Sequence, residues 1–263
     1  MTTMLRPLAV VLIAAIGLSA CARGPGAGMS DPYEAQNRGV FEENLRLDRA
    51  IVGPAARGYG GSLPDPVERG ISNFAANAAL PSDIVNDLLQ ANLDDAVVNV
   101  TRLLFNTTIG IGGIFDPMGA TGLDARPSDF GETLHVWGAG EGNYIVLPIL
   151  GPSTERDAVG IFVDAFTNPL SYVLGSPERF IPVPANIGSA LSQRNAADAT
   201  FDALILDAAD PYAQARLLYL ESRRFQLGGQ GRSSDPYADG GGFDPYAPAA
   251  GGAPDPYEDP YAQ

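Results

Sequence analysis

From Asp31 to about Gln226 the apolar residues recur at intervals of three and four, in blocks that open on an acceptor side chain. Val40, Phe41, Leu45 and Ile51 follow Asp31-Pro32-Tyr33-Glu34, which places an acceptor at the N-cap, proline at the first helical position and glutamate at the third. Asp65-Pro66-Val67-Glu68 predicts a second helix toward Asn77, and Pro81-Ser82-Asp83 a third toward Gln90. Asn92-Leu93-Asp94-Asp95 predicts a fourth, with Leu93, Ala96, Val97, Val100, Leu103 and Leu104 on one face. Gly110, Gly112 and Gly113 break the regularity. Thr154-Glu155-Arg156-Asp157 is a further cap, followed by Val159, Phe162, Val163 and Phe166. Another helix is expected over Arg194 to Leu206, and a last one from Asp210-Pro211-Tyr212 to near Gln226. Stripes of this spacing are expected to pack as core. The best strand candidate, Tyr144 to Leu147, is cut short by Pro148. The pattern predicts a mainly α domain over residues 31–227 with a glycine-rich, irregular middle.

The two ends depart from this pattern. Arg6 precedes an apolar run from Leu8 to Leu18, and Leu18-Ser19-Ala20-Cys21 closes it with small residues. The run is too short for a spanning helix, which needs about 20 residues, and reads as a signal peptide over 1–20. Its end resembles the bacterial lipobox, in which the cysteine thiol takes up a diacylglycerol. Cys21 is thus the expected lipid anchor, and residues 21–30 a lipidated flexible tether. Ala22 is not the aspartate that retains such proteins in the inner membrane, which favours the outer membrane. Residues 228–263 repeat Asp-Pro-Tyr at 235, 244, 255 and 259, with almost no aliphatic side chain, and read as a disordered tail.

Charge and chemistry narrow the function by exclusion. The net charge is −15 and all sixteen basic residues are arginine. Such a chain is poorly suited to neutralise nucleic-acid phosphates or to grip anionic head groups through its general surface. The single cysteine permits no internal disulfide. With Cys21 expected to carry lipid, the lone His135 argues against a histidine-based metal cluster; carboxylate-only calcium binding stays open although the EF-hand loop pattern is missing, and no metal or other cofactor is assigned. There is neither a G-x-S-x-G elbow nor a P-loop. Asp129 and Glu132 are carboxylates in an acidic chain, His135 reads as a partly buried structural residue, and no catalytic residue is assigned. Gly138-Ala139-Gly140-Glu141-Gly142-Asn143 suits a tight hairpin or a loop that changes shape. Trp137 and Tyr144 flank it with rings of the kind that favour membrane–water boundaries.

Several ordered motifs resemble the MlaA (also called VacJ) phospholipid-transport lipoproteins. They are Asp31-Pro32-Tyr33-Glu34 with Asn37-Arg38, Ile71-Ser72-Asn73-Phe74, and Arg102 to Gly110 followed by Gly113-Ile114-Phe115-Asp116. The strongest run extends from Asp129 to Asp157, and Asn168-Pro169-Leu170 and Asp210-Pro211-Tyr212 fit as well. The resemblance implies a ring-like helical single domain lying in the inner leaflet of the outer membrane, with a central amphipathic channel. It implies removal of mislocalised phospholipids from the outer leaflet and their transfer to a soluble periplasmic lipid carrier, with a trimeric porin as partner. No bond is broken in such transport. A glycine-bearing hairpin near the channel corresponds to about His135 to Pro148, making Trp137, Gly138, Gly140, Gly142 and Tyr144 the candidate channel-shaping residues. Asn143 stands where many members carry proline. A membrane-anchored phospholipid hydrolase and an envelope scaffold are the alternatives.

Overall fold

The computed structural model describes residues 31–229. The expected signal peptide, Cys21, the tether and the Asp-Pro-Tyr tail lie outside the described residues. Those up to Ser222 form one compact unit, and those from Arg223 belong to a second.

Helix α1 (Glu34–Leu47) passes through a wide π-type turn (Asp48–Val52) into α2 (Gly53–Ser62). Helices α3 (Asp65–Leu89) and α4 (Leu93–Thr108) pack together across a tight link. A short α5 (Pro117–Ala120) and α6 (Phe130–Val136) lead to strands β1 (Tyr144–Leu147) and β2 (Gly151–Thr154). Then come α7 (Glu155–Thr167), α8 (Leu170–Val173), α9 (Pro182–Ala196), α10 (Asp198–Phe201), a second π-type turn (Asp202–Leu206) and α11 (Pro211–Gly229). The fold is mainly α, as expected, with one antiparallel strand pair among the described residues.

Local chemistry explains most helix starts. The side chains of Asn92, Asp129 and Thr154 accept from the backbone N–H three residues on, opening α4, α6 and α7. Asp31 acts slightly earlier than expected. It accepts from the Tyr33 N–H at 3.1 Å, and α1 begins at Glu34. Two helix expectations are corrected. Pro81 does not open a helix: α3 runs straight through it, because packing along 25 residues outweighs one missing N–H donor. The helix expected over Arg194 to Leu206 instead begins at Pro182 and stops at Ala196, where the chain tightens and then widens into a π-type turn.

The expected hairpin is also displaced. Tyr144 pairs with Thr154 and Leu147 with Gly151, so the reversal lies at Pro148-Ile149-Leu150. The glycine run 138–142 is the connection that enters this hairpin from α6. Ile149 holds a left-handed φ of 69° at the tip, a conformation strained for a β-branched residue.

A conventional apolar core joins the hairpin to α1 and α11. It contains Phe41, Tyr144, Val146, Ile205, Tyr212, Ala215 and Leu220. The Tyr212 ring meets Phe41 and Tyr144 edge-on at 5.7 and 6.0 Å. Two asparagines of α1 take the place of a third strand. Asn37 donates to the Tyr144 carbonyl at 3.1 Å and accepts from the Val146 N–H at 2.9 Å. Asn44, two turns on, bonds the Leu147 carbonyl and the Ile149 N–H in the same way. Beside them Arg38 pairs with Asp210 through two contacts at 2.8 and 3.0 Å, which holds that carboxyl down at about 2.

Candidate functional site

Around α3, α4, α6 and α7 the usual distribution of polarity is inverted. Helix α4 turns Ala96, Asn99, Arg102 and Asn106 inward, while Leu93, Val97, Val100 and Leu104 face out. Asn99 is fully buried and Val97 is 65% exposed. Helix α7 repeats the arrangement: Arg156, Asp157 and Gly160 are buried, whereas Val159, Phe162 and Phe166 are exposed, Phe162 to 66%. The expectation that these stripes form core is therefore corrected. Periodicity locates an apolar face but not what covers it. Contiguous apolar surface of this kind marks a membrane or partner surface. No helix among the described residues is long and apolar enough to cross a membrane.

Most of the buried polar side chains here bond one another, as groups held away from water must, while the Asn77 Oδ1 and the Arg102 Nε–H have no partner. Asn99 donates to Asp87 at 2.8 Å and to the Arg126 carbonyl at 2.7 Å. Asn86 donates to Asp164 at 3.0 Å, and the other Asp164 oxygen accepts from the Phe130 N–H at 2.9 Å, tying α3, α6 and α7 together. Helices α6 and α7 meet through glycines, since a Cβ on Gly160 would stand 2.3 Å from the Gly131 nitrogen. Arg102 reaches Asp116 at 2.9 Å and also donates to the Leu123 carbonyl. Burial works against the Asp116 charge, but bonds from the Gly119 N–H, Arg102 and Asn106 outweigh it and hold its pKa below the usual range.

Between α3, α4 and residues 116–127 this network leaves a cavity of about 180 Å³, lined among others by Asn77, Asp83, Arg102 and Asn106. Burial, with help from the negative charges of Asp87, Asp164 and Asp129, pushes the Asp83 carboxyl up to about 7. Between the ordinary 3.8 and about 7, the folded chain keeps a proton that the unfolded chain has released. Stability is therefore expected to fall as pH rises across that window. Thermal unfolding at a series of pH values should show the decline, and Asp83→Asn should flatten it; equal slopes in both proteins would contradict the assignment. A second, more open cavity of about 260 Å³ lies where Asp65, Glu68, Arg69 and Ser72 of α3 face Ser192 of α9.

The candidate residues of the glycine segment separate into two groups. Trp137 ends α6, 56% exposed, with its indole N–H donated to the Leu89 carbonyl at 3.0 Å; Leu88, Leu89 and Val136 are exposed as well. Gly138 and Gly142 adopt φ of +89° and +74°, and a Cβ on Gly142 would meet Glu155 at 2.8 Å. Gly140 lies exposed between them. Tyr144, by contrast, is only 3% exposed and belongs to the apolar core, so it is no boundary ring. His135 is exposed rather than partly buried. Asn143, at the proline position, donates its backbone and side-chain N–H groups to Glu155 at 3.0 and 2.9 Å, the first of which proline could not do. Sequence reasoning met Asn37, Asp83 and Arg102 only within a helix start or a family motif, with no role in a site, and passed over Asn44 and Asn77. For Arg102 a further signal was spacing, since Asn99, Arg102 and Asn106 form a helical stripe opposite the apolar one.

Comparison with known proteins gives this arrangement a context. Residues 29–226 match the family described as MlaA lipoprotein. The chain is 32% identical over 209 residues to the intermembrane phospholipid transport system lipoprotein MlaA of Escherichia coli (strain K12), covering 77% of this chain and 80% of that one. It is 35% identical over 194 residues to an uncharacterized protein of Rickettsia bellii, covering 73% and 75% respectively. A solved chain, determined for the structural basis of maintenance of bacterial outer membrane lipid asymmetry, superposes with a TM-score of 0.64 at 30% identity. The match covers 75% of this chain and 99% of that one.

Proposed function

Because the chain belongs to the MlaA lipoprotein family, we propose that it is the lipoprotein of an intermembrane phospholipid transport system that maintains outer-membrane lipid asymmetry. It takes phospholipids misplaced in the outer leaflet and releases them on the periplasmic side. One observation carries this reading: apolar stripes on α4 and α7 face out while the helices behind them share a polar interior. A lipid needs both environments, since its tails seek hydrocarbon and its head group loses several kcal/mol if stripped of polar partners there. The transport itself calls for no bond cleavage. A passive conduit cannot set direction, so direction comes from capture downstream.

The remaining parts are placed on the same reading. Cys21 carries the acyl anchor, with the chain held at the periplasmic side of the outer membrane. A soluble periplasmic carrier takes the lipid away, and a trimeric porin steadies the protein in the membrane. The segment from Trp137 to Gly142 shapes the lipid path, with Trp137 at the boundary and Gly138 and Gly142 in conformations that other residues resist. Tyr144 belongs to the support beneath it.

Mass spectrometry of lipids co-purifying with the detergent-solubilised, washed protein tests the function. Intact phospholipid, passed unchanged to a periplasmic lipid carrier, is the expected result. Lysophospholipid or free fatty acid accumulating with time would favour a hydrolase, and neither lipid nor product would favour a scaffold. Gly140→Pro should alter transport while leaving membrane anchoring intact; unchanged outer-membrane asymmetry in cells carrying it would count against the loop.

A further inference from the structure

The cavity behind α4 carries more specific chemistry than a water-lined gap. Asn77, Leu80 and Asp83 approach it from one face of α3, and Arg102 and Asn106 from α4. Asn77 is 8% exposed and uses its amide nitrogen on the Thr107 hydroxyl at 3.1 Å, which leaves its buried Oδ1 without a partner. Its position is set by Gly113, where any Cβ would fall 2.4 Å from the Asn77 Cβ. Arg102 is 5% exposed, and although its terminal nitrogens bond Asp116 and the Leu123 carbonyl, its Nε–H is unpartnered. Unpaired buried polar atoms are uncommon, and each asks for a ligand or water.

The charges select among ligands. The Arg102 cation is already neutralised by Asp116 at 2.9 Å. Asp83 has no cationic partner among the described residues, and its neighbours Asp87, Asp129 and Asp164 are also acidic. An anionic group therefore meets no free cation here, whereas a cation with N–H donors meets acceptors. At about 180 Å³ the space suits a lipid head group but not acyl chains, being smaller than an ordinary ligand pocket of at least ~300 Å³.

We propose that this cavity receives the primary-ammonium head group of an aminophospholipid, with Asp83 and the Asn77 amide oxygen accepting its N–H bonds and the Arg102 Nε–H facing the adjoining phosphate. The inference rests on the phospholipid-transport reading and names the lipid class that reading leaves open. A trimethylammonium group has no N–H to give, so the Asn77 oxygen would stay unpaired and the Asp83 carboxylate would keep only its bond from the Ser128 backbone. Binding strengthens as Asp83 ionises near neutral pH and weakens below it. The charged groups around Asp83 are Asp87 on its own helix, Asp129 and Asp164 from α6 and α7, and the Arg102–Asp116 pair across the cavity.

The test uses the full lipidated chain in detergent. It is exposed to vesicles of equal phosphatidylethanolamine, phosphatidylglycerol and phosphatidylcholine, washed, and its retained lipids are counted by mass spectrometry. Phosphatidylethanolamine should be enriched over both others. Asp83→Asn and Asn77→Leu should each cut that enrichment about tenfold, the effect of losing a hydrogen bond to a charged group. Asp83→Asn stands alone if Asn77→Leu, packed against Gly113, does not fold. Equal retention of the three lipids, or enrichment unchanged by Asp83→Asn, overturns the ammonium site. Soluble phosphoethanolamine binding as tightly as the lipid overturns the lipid assignment. Wild type that retains no phospholipid at all overturns the transport reading instead.

Discussion

Val97→Arg is expected to lower partition into a phospholipid bilayer on the order of 100-fold while leaving the protein in solution close to wild type. Val97 points away from the helix pair, 65% exposed, between Leu93 and Val100 on the outer stripe of α4. In water a charge there displaces nothing, and exposed substitutions of this kind change stability by about 0.5 kcal/mol or less. In hydrocarbon an arginine costs roughly 2.5–3.5 kcal/mol by insertion scales, and each 1.4 kcal/mol is about a factor of ten. The measurement is flotation with vesicles, made on the Cys21→Ser form so that the acyl chains do not mask the difference. Circular dichroism and thermal unfolding provide the control. Equal flotation of Val97→Arg and its parent would mean that the stripe faces a protein partner rather than lipid. Phe162→Arg on α7 should behave alike, because the same inversion places it outside.

Asn37→Leu should destabilise the fold by about 3 kcal/mol, even though leucine suits a helix better than asparagine. Asn37 is 4% exposed and serves both bonding groups of β1 at once, at 3.1 and 2.9 Å. Its loss leaves a buried carbonyl and a buried N–H unpaired, each costing about 1–3 kcal/mol. For a domain of this size, 3 kcal/mol corresponds to a fall in Tm of roughly 6–12 °C. Asn44→Leu should cost less, because its side chain bonds the exposed tip of the hairpin, where water can replace it. The order of the two losses separates a strand-mimicking role from simple side-chain packing. Equal shifts for both substitutions would sink the account. A hairpin loosened in this way also loses its hold on Glu155 and Asn143, so lipid transfer is expected to change with stability.

These expectations mark where the sequence was sufficient and where it was not. Caps are written in short stretches of chain: Asn92, Thr154 and the Asp-Pro pairs announced helices that exist, because a cap acts over three residues. The mainly α class follows from spacing, and the family from motifs spread between Asp31 and Tyr212, within the residues 29–226 that the family matches. The best strand candidate is β1, but its partner β2, Gly-Pro-Ser-Thr, has no strand signal of its own and pairs because the turn at Pro148 brings it back. Helix α3 crosses Pro81 for a related reason, since contacts with α4 and α9 hold a helix that local chemistry would end.

The candidate site divides along the same line. Gly138 and Gly142 were legible because positive φ is a local demand that glycine meets. Tyr144 was misplaced because an aromatic ring beside a flexible loop reads alike whether it faces lipid or, as here, Phe41 and Tyr212. The stripes of α4 and α7 carry the same ambiguity. An amphipathic helix states that one face is apolar and the other polar, and nothing in its period says which face meets the rest of the protein. Sequence by itself determined the mainly α class, most of the helix starts, the family and the glycines that take positive φ, each set by residues a few positions apart or by motif identity. Only the tertiary structure decided that Asn99, Asp87 and Arg102 lie inside while Val97 and Phe162 lie outside, because the solvent of a surface is a property of the whole assembly of helices and of the medium around it.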